Sequence, residues 1–289
     1  MRRRSAALIL CLACVCGPAT SAGLEQVGRV VWGGDVVFGI SGLEVSDDGR
    51  RFDAVSDAGW RLSGALIRRG ELLESVELKQ IEPILGNDGL PVSARRIRDW
   101  SDAEGLAVAP DGTSWISFER WARVQRFAPG TRVGTWIEDH PDFRGWRDNR
   151  QLEAVAVDDN GVVFTTPERP TSDGFPLYAL RDQSWHQEGH IPARGGYSIV
   201  GADFGADGTL WILERKHVLG LWFQNRISRL ETSDPAGVET VWTGGFDEFY
   251  NLEGIAVWQG SDGLRILCVT DNNMLTKVPT ELVEFRLLE

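Results

Sequence analysis

Apolar and polar residues alternate along this chain in short runs, and the runs come in pairs. A turn ending in Gly, usually Asp-Gly or Asn-Gly, joins the two runs of each pair. Five such units are readable: SGLEVSDDGRRFDAVSD from Ser41, EGLAVAPDGTSWISFE from Glu104, EAVAVDDNGVVFTTPE from Glu153, VGADFGADGTLWILE from Val200 and EGIAVWQGSDGLRILCVTD from Glu253. A period of two predicts strands, and a turn glycine that tolerates positive φ predicts hairpins. Taking Gly42, Gly105, Ala154, Gly201 and Gly254 as equivalent, the turn glycines Gly49, Gly112, Gly161, Gly208 and Gly263 follow at offsets of 7, 7, 7, 7 and 9. A register held over a whole chain marks an internal repeat.

A third strand is predicted after each hairpin, at Arg61 to Arg68, Val124 to Phe127, Leu177 to Leu180, Arg226 to Leu230 and Glu281 to Leu287. A fourth follows in most copies, as at Gly237 to Thr243. Four antiparallel strands repeating at steps of 63, 49, 47 and 53 residues predict an all-β fold, a β-propeller of five blades. The fifth copy runs out of chain after its third strand, so Leu24 to Trp32 is expected to close the ring as its fourth. The long first step leaves room for an irregular sixth blade around Ile81 to Arg98.

Residues 1–22 are expected to lie outside that domain, which then spans 23–289. Arg2, Arg3 and Arg4 precede an apolar stretch from Ala6 to Val15, Pro18 breaks it, and small residues run to Ala22. This is the pattern of a cleaved secretion signal, and the apolar stretch is too short to span a bilayer. A periplasmic or secreted protein is expected. Of four cysteines only Cys268 remains after cleavage, in the apolar run Ile266 to Val269, where a packing role is expected. The formal charge of −12 becomes −15 without the three signal arginines, which argues against nucleic acid or an anionic membrane as partner. No second apolar run could span a membrane, and a monomer is expected.

Propeller geometry turns the repeat into a site. The start of each first strand and the end of each second strand reach the same face. Ser41, Glu104, Glu153, Val200 and Glu253 occupy the first position, and Asp57, Glu119, Glu168, Glu214 and Asp271 the second. Eight acids are therefore expected at one mouth of the channel. They repel unless neutralised by arginine or a bound cation. Arg120, Arg169 and Arg215 each follow one of the acids. Carboxylates and amides suit a hard divalent cation such as calcium, and His140, His186, His190 and His217 show no zinc spacing. The candidate ligands are Glu104, Glu153, Glu253, Asp271 and Asn272, with Asp57 and Glu119 as candidate catalytic acids. Acids at equivalent places can equally cap strands or bond neighbouring blades. Long connections on this face carry Arg95, Arg96, Arg98, Trp100, His140, Arg144, Trp146, Arg147, Arg150, Lys216, His217 and Trp222. Arg120, Arg147, Arg169 and Arg215 are candidates for holding an anionic group, and they can equally balance the acids.

The phrases DAEGLAVAPDG, NRQLEAVAV, LWILER and NLEGIAVWQGSDGLRILCVTDNN resemble the phytase-like domain, the "esterase-like activity of phytase" family. The likeness runs from about Gly39 to Leu287, with VPTELVEFRL similar to the closing strand. It implies an exported propeller and a metal-assisted hydrolase of phosphate or other esters. Similar repeats occur in calcium-dependent lactonase propellers, where Glu, Asn and Asp at the channel mouth hold the metal. The competing reading is a non-catalytic propeller whose acid-face loops grip a ligand or protein partner.

Overall fold

A computed structural model of the chain describes residues 23–33, 37–94, 100–146, 151–218, 222–273, 275 and 277–288. The secretion signal read at 1–22 lies outside these residues, as do Arg95, Arg96, Arg98, Arg147 and Arg150. Strand β1 (Gly23–Trp32) opens the described chain. Blade 1 follows as β2 (Ile40–Val45), β3 (Arg51–Ser56), β4 (Trp60–Arg69) and β5 (Leu72–Pro83). Blade 2 is β6 (Ala103–Val108), β7 (Ser114–Phe118), β8 (Arg123–Phe127) and β9 (Thr135–Trp136). A short helix α1 (Pro141–Gly145) precedes blade 3, which is β10 (Leu152–Val157), β11 (Val163–Pro167), β12 (Phe175–Arg181) and β13 (Ser184–Ile191). Blade 4 is β14 (Ser198–Phe204), β15 (Leu210–Val218), β16 (Trp222–Glu231) and β17 (Asp234–Thr243). Blade 5 takes β18 (Asn251–Gly260), β19 (Gly263–Asp271) and β20 (Thr280–Leu288), and β1 completes it.

The closing strand pairs as its sequence predicts, Leu24 opposite Leu287 and Trp32 opposite Thr280. The inner strands touch in the order β2, β6, β10, β14, β18 and back to β2, which closes the ring. The stretch after Pro83 forms no sixth sheet among the described residues. Ile84 and Val92 are buried there against Ile116, Phe118 and Phe127, so the long first step fills the wedge between blades 1 and 2.

The core follows from the alternating pattern. A strand buried on both blade faces loses polar positions, and β7, β10 and β11 are buried throughout. Apolar side chains gather into five clusters, each shared by two neighbouring blades. Cys268, fully buried in the cluster between blades 4 and 5, has its thiol pushed up by burial.

Glycine sets how tightly the inner strands approach one another. A Cβ on Gly42 would lie 2.7 Å from the Leu106 amide of blade 2, and one on Gly105 would lie 2.7 Å from the Glu153 carbonyl of blade 3. The same holds between Gly201 and the Glu253 carbonyl, at 2.6 Å. The inner strands therefore meet backbone to backbone at this level, which narrows the channel just where the rim residues stand.

Candidate functional site

Each inner strand breaks register with its neighbour at one place. The breaks fall between Ile40 and Gly42, Ala103 and Leu106, Leu152 and Ala154, Ile199 and Gly201, and Leu252 and Gly254. The residues skipped include Ser41, Glu104, Glu153, Val200 and Glu253, the first-strand positions of the repeat. A bulge leaves one residue unpaired and re-aims its side chain. The narrow channel and the bulges together crowd Glu104, Glu153 and Glu253 at one mouth, where their charges act on one another.

The second-strand ends join them, with one correction. Asp57, Glu119 and Glu168 donate their amides to Gly39, Asp102 and Gln151, and Asp271 pairs with Asn251. In blade 4 the residue at this level is Arg215, opposite Ser198, and Glu214 sits one step away. A shift of one residue along a strand moves a side chain to the other face. Glu214 accordingly turns into the blade, where it accepts hydrogen bonds from Arg226 and from the Ser228 hydroxyl at 2.6 Å. The sequence carried the signal. Counted from the turn glycine, Asp57, Glu119, Glu168, Arg215 and Asp271 fall at offsets of 8, 7, 7, 7 and 8.

A third ring was not anticipated. Three residues before the repeat glycine stand Gly39, Asp102, Gln151, Ser198 and Asn251. Asp102 adds an acid beside Glu104, and Asn251 bridges Glu253 at 2.8 Å and Asp271 at 3.2 Å. Among the described residues the mouth thus has eight acids, with Asp102 added and Glu214 removed.

Arg215 divides them into two halves. Its guanidinium donates to Glu253, to Glu168 at 3.1 Å and to the Asn251 amide oxygen at 2.7 Å. Burial opposes its charge, yet Glu253, Glu153 and Glu168 together hold it protonated. Carboxylate oxygens of Asp102, Glu104 and Glu119 lie within 4.8 Å of one another, and those of Glu119 and Glu153 form a second such group with Glu168, the partner of Arg215. Glu119 belongs to both groups. Glu104, Glu119 and Glu153 are 8%, 8% and 7% exposed, and no hydrogen bond or ion pair from a described residue reaches their carboxylates.

The electrostatics follow this division. Burial first, then Glu153 and Glu253, hold the Glu104 carboxyl well above the usual range. Burial and then Glu168 do the same for Glu153. Glu119 is pushed up to about 7 by burial and then by Asp102 and Glu168. Asp57 rises to about 7 through burial and the charges of Asp102 and Glu253, and its buried Oδ1 has no hydrogen-bond partner. Asp271 rises to about 8, from burial and Glu253.

The remaining candidates have specific places. Asn272 accepts a 3.1 Å hydrogen bond from the Gly39 amide and so ties blade 5 to blade 1. Arg120 pairs with Asp102 at 3.2 Å and Arg169 with Glu168 at 3.3 Å, both partly exposed at the rim. Arg147 lies outside the described residues. His140 caps α1 and stacks near Tyr178, whose hydroxyl donates to Asp142 at 2.7 Å. A cleft of about 590 Å³ on the turn face, beside Trp115 and Asn160, contains none of the mouth acids.

A family profile, "Phytase-like: Esterase-like activity of phytase", matches residues 36–274. The chain belongs to the phytase-like family. Among solved structures, this phytase-like propeller is similar to a gluconolactonase from Xanthomonas campestris, at 11% identity and a TM-score of 0.49 over 91% of this chain and 89% of that one. It is also similar to an aldose sugar dehydrogenase from Streptomyces coelicolor in its PQQ-bound form, at 13% identity and a TM-score of 0.46 over 94% and 100%. Likeness at this level concerns the fold alone, and one fold hosts many chemistries. A curated protein described as an RNA pyrophosphohydrolase of Wolbachia is 28% identical over 103 residues, or 34% of this chain and 62% of that protein. The phytase-like chain thus spans about three fifths of that relative. No helix among the described residues is long and apolar enough to cross a membrane.

Arg215→Gln tests the division of the mouth. In chelator it is expected to lower stability by about 1–3 kcal/mol, because Glu168 and Glu253 lose a buried donor, although proton uptake limits the loss. Added calcium should stabilise this variant more than the wild type. Thermal melts with and without calcium measure both effects.

Proposed function

We propose that the chain is an exported hydrolase of carboxylic or phosphate esters, assisted by a hard divalent cation, with calcium the first ion to test. One observation carries the reading. Glu104, Glu119 and Glu153 converge, nearly buried, with no protein partner for their carboxylates among the described residues. Such a group must bind a cation or take up protons. The donor set is oxygen only, with no histidine or cysteine in either cluster, which fits calcium or magnesium and not zinc. Glu119 would hold the ion together with Glu104 and Asp102 in one group or with Glu153 and Glu168 in the other, Asp102 and Glu168 sharing their oxygens with Arg120 and Arg215, while Glu253 and Asp271 serve Arg215 and Asn251. A hard cation in this place would supply polarisation of the ester oxygen and a more acidic water.

The chain's own residues supply the rest. Asp57 would accept a proton from the attacking water, a role supported by a carboxyl raised to about 7 and a buried oxygen without a hydrogen-bond partner. Arg169 stands at the rim, 53% exposed and paired with Glu168 at 3.3 Å, and would turn its outer guanidinium nitrogens to an anionic ester oxygen. Gly39 leaves room for the Asp57 carboxyl, because a Cβ there would overlap it.

The test measures turnover of matched aryl, alkyl and phosphate esters with calcium, magnesium or chelator. Turnover that chelator abolishes and calcium restores is the expected result, with Asp57→Asn lowering kcat by about 10²–10⁴-fold. No turnover of any ester, with calcium still raising the melting temperature, would leave a cation-binding propeller and remove the hydrolase. Export is checked by sequencing the N-terminus of protein from its native envelope, where a start at or near Gly23 is expected.

A further inference from the structure

The rim beside the first acid cluster carries exposed tryptophan. The turn after β7 runs Glu119, Arg120, Trp121, and the segment entering β6 runs Trp100, Ser101, Asp102. Two of the cluster's three acids are therefore each two residues from a tryptophan. Trp100 is 7% exposed, and its ring lies 5.6 Å from that of Trp121 and 5.8 Å from that of Trp136. The two outer rings are 49% and 37% exposed. Both are tilted against Trp100, at 49° and 59°, so they flank it and do not stack into one plane.

This arrangement is built from below. Arg123 is fully buried, its guanidinium 3.7 Å from the Phe118 ring centre and 4.3 Å from that of Trp100. It donates to the Trp100 carbonyl at 2.7 Å and to the Trp121 carbonyl at 3.1 Å, which fixes both segments against each other. The Trp136 indole donates to Asp139 at 3.0 Å, which fixes that ring as well. Large aromatic surface left in water is costly, and positioned indoles next to polar groups suit a ligand with an apolar face and a polar edge.

We propose that Trp121 and Trp136 form the subsite for a ring carried by the ester, stacking its apolar face while the ester bond reaches the carboxylates of Asp102, Glu104 and Glu119. The shared chemistry is a flat or chair-like ring with an apolar face, which an aromatic alcohol or a sugar supplies. This deepens the hydrolase reading and rests on it for the reaction, but ring binding can be measured without turnover.

The probes are benzyl alcohol, methyl β-glucopyranoside and ethanol, added to the full chain with calcium. The readout is the indole NMR signals of Trp121 and Trp136, assigned from Trp121→Phe and Trp136→Phe. One ring probe is expected to move both signals at millimolar concentration, and ethanol neither. Which ring probe does so separates an aromatic alcohol from a sugar. Trp121→Ala and Trp136→Ala should each weaken that binding at least fivefold, and Trp121→Phe, which keeps a flat ring, should retain most of it. With matched acetates, Trp121→Ala should raise KM for the ring-bearing ester relative to the ethyl ester at least fivefold. Melting temperatures report folding of each variant, and Trp136→Phe replaces Trp136→Ala if the latter does not fold. Indole signals unmoved by both ring probes, or ring binding unchanged in Trp121→Ala, would overturn the subsite. Ring binding without turnover of any ester would keep the subsite and sink the hydrolase.

Discussion

Glu119→Gln is expected to raise the melting temperature of the cation-free protein at pH 8 and to abolish most of the further rise that calcium gives the wild type. Glu119 belongs to both acid clusters, so it feels repulsion from each and would serve any ion held in either. The folded carboxyls of Asp57 and Glu119 are raised to about 7 and that of Asp271 to about 8, above the range they have in an unfolded chain. Between about pH 4 and 8 the native state therefore binds more protons than the unfolded state. Stability in chelator is full near pH 4 and falls as pH rises through 7 to 8. Replacing Glu119 by a neutral isostere removes one of the charges behind that fall, worth about 3 kcal/mol at pH 8. For a domain of this size that is roughly 5–10 °C. Calcium binds the folded mouth and not the open chain, so it should flatten the pH dependence in the wild type. Melts from pH 4 to 8.5, in chelator and in calcium, measure all of this. A wild type whose melting temperature ignores both pH and calcium removes the ground for a cation.

The second large effect lies at the other face. Glu284 on β20 is fully buried and accepts from Arg265 of β19 at 2.6 Å and from Arg68 of blade 1 at 3.0 Å. Arg68 also donates to the Gly49 carbonyl at 2.6 Å, and its guanidinium lies 5.2 Å from the Trp258 ring centre. One carboxylate thus links blade 5 to blade 1 across the closing sheet. Glu284→Ala leaves buried Arg68 without a carboxylate among the described residues and Arg265 with Asp262 alone, at 2.7 Å. The expected loss is about 3–5 kcal/mol, measured by urea unfolding, with ester turnover per folded molecule unchanged. A loss within the ordinary range of surface substitutions, about 0.5 kcal/mol, would show that the two arginines find other acceptors.

The blades were legible in the sequence because a hairpin declares itself locally. Alternation, a turn glycine and a constant offset fix each pair of strands, and the unfilled fourth place in blade 5 points back to Leu24 to Trp32. The positions of the mouth acids follow from the same offsets, to within one residue. That residue matters in blade 4, where Glu214 and Arg215 are adjacent and either could head the strand. The count from the turn glycine favours the arginine, and the pairing register, shifted by the bulge at Val200, puts it at the mouth. What the acids do was less legible. Asn272 looks like a ligand amide in the sequence, yet a backbone donor 233 residues away takes its oxygen. Asp102 lies outside the hairpin, so the repeat of apolar runs does not reach it. That Arg215 bonds Glu168 and Glu253 and leaves the carboxylates of Glu104, Glu119 and Glu153 without a hydrogen bond from a described residue depends on side-chain reach across the channel, which neighbouring residues in the chain do not encode.

The seam of the ring also sets an order of events during synthesis. Blades 1 to 4 are each continuous in sequence, so each can form soon after its own strands exist, with loops that close quickly. Blade 5 cannot, because β1 is made first and its partner β20 last. Until β20 appears, β1 is a strand with an unsatisfied edge, and the last interblade cluster stays open to water. Contacts of such long sequence separation form slowly compared with local ones. A nascent chain therefore carries β1, with Leu24, Val30 and Trp32 uncovered, until β20 is made. Any factor that shields newly made chains has its natural target in the first ten described residues, Gly23–Trp32.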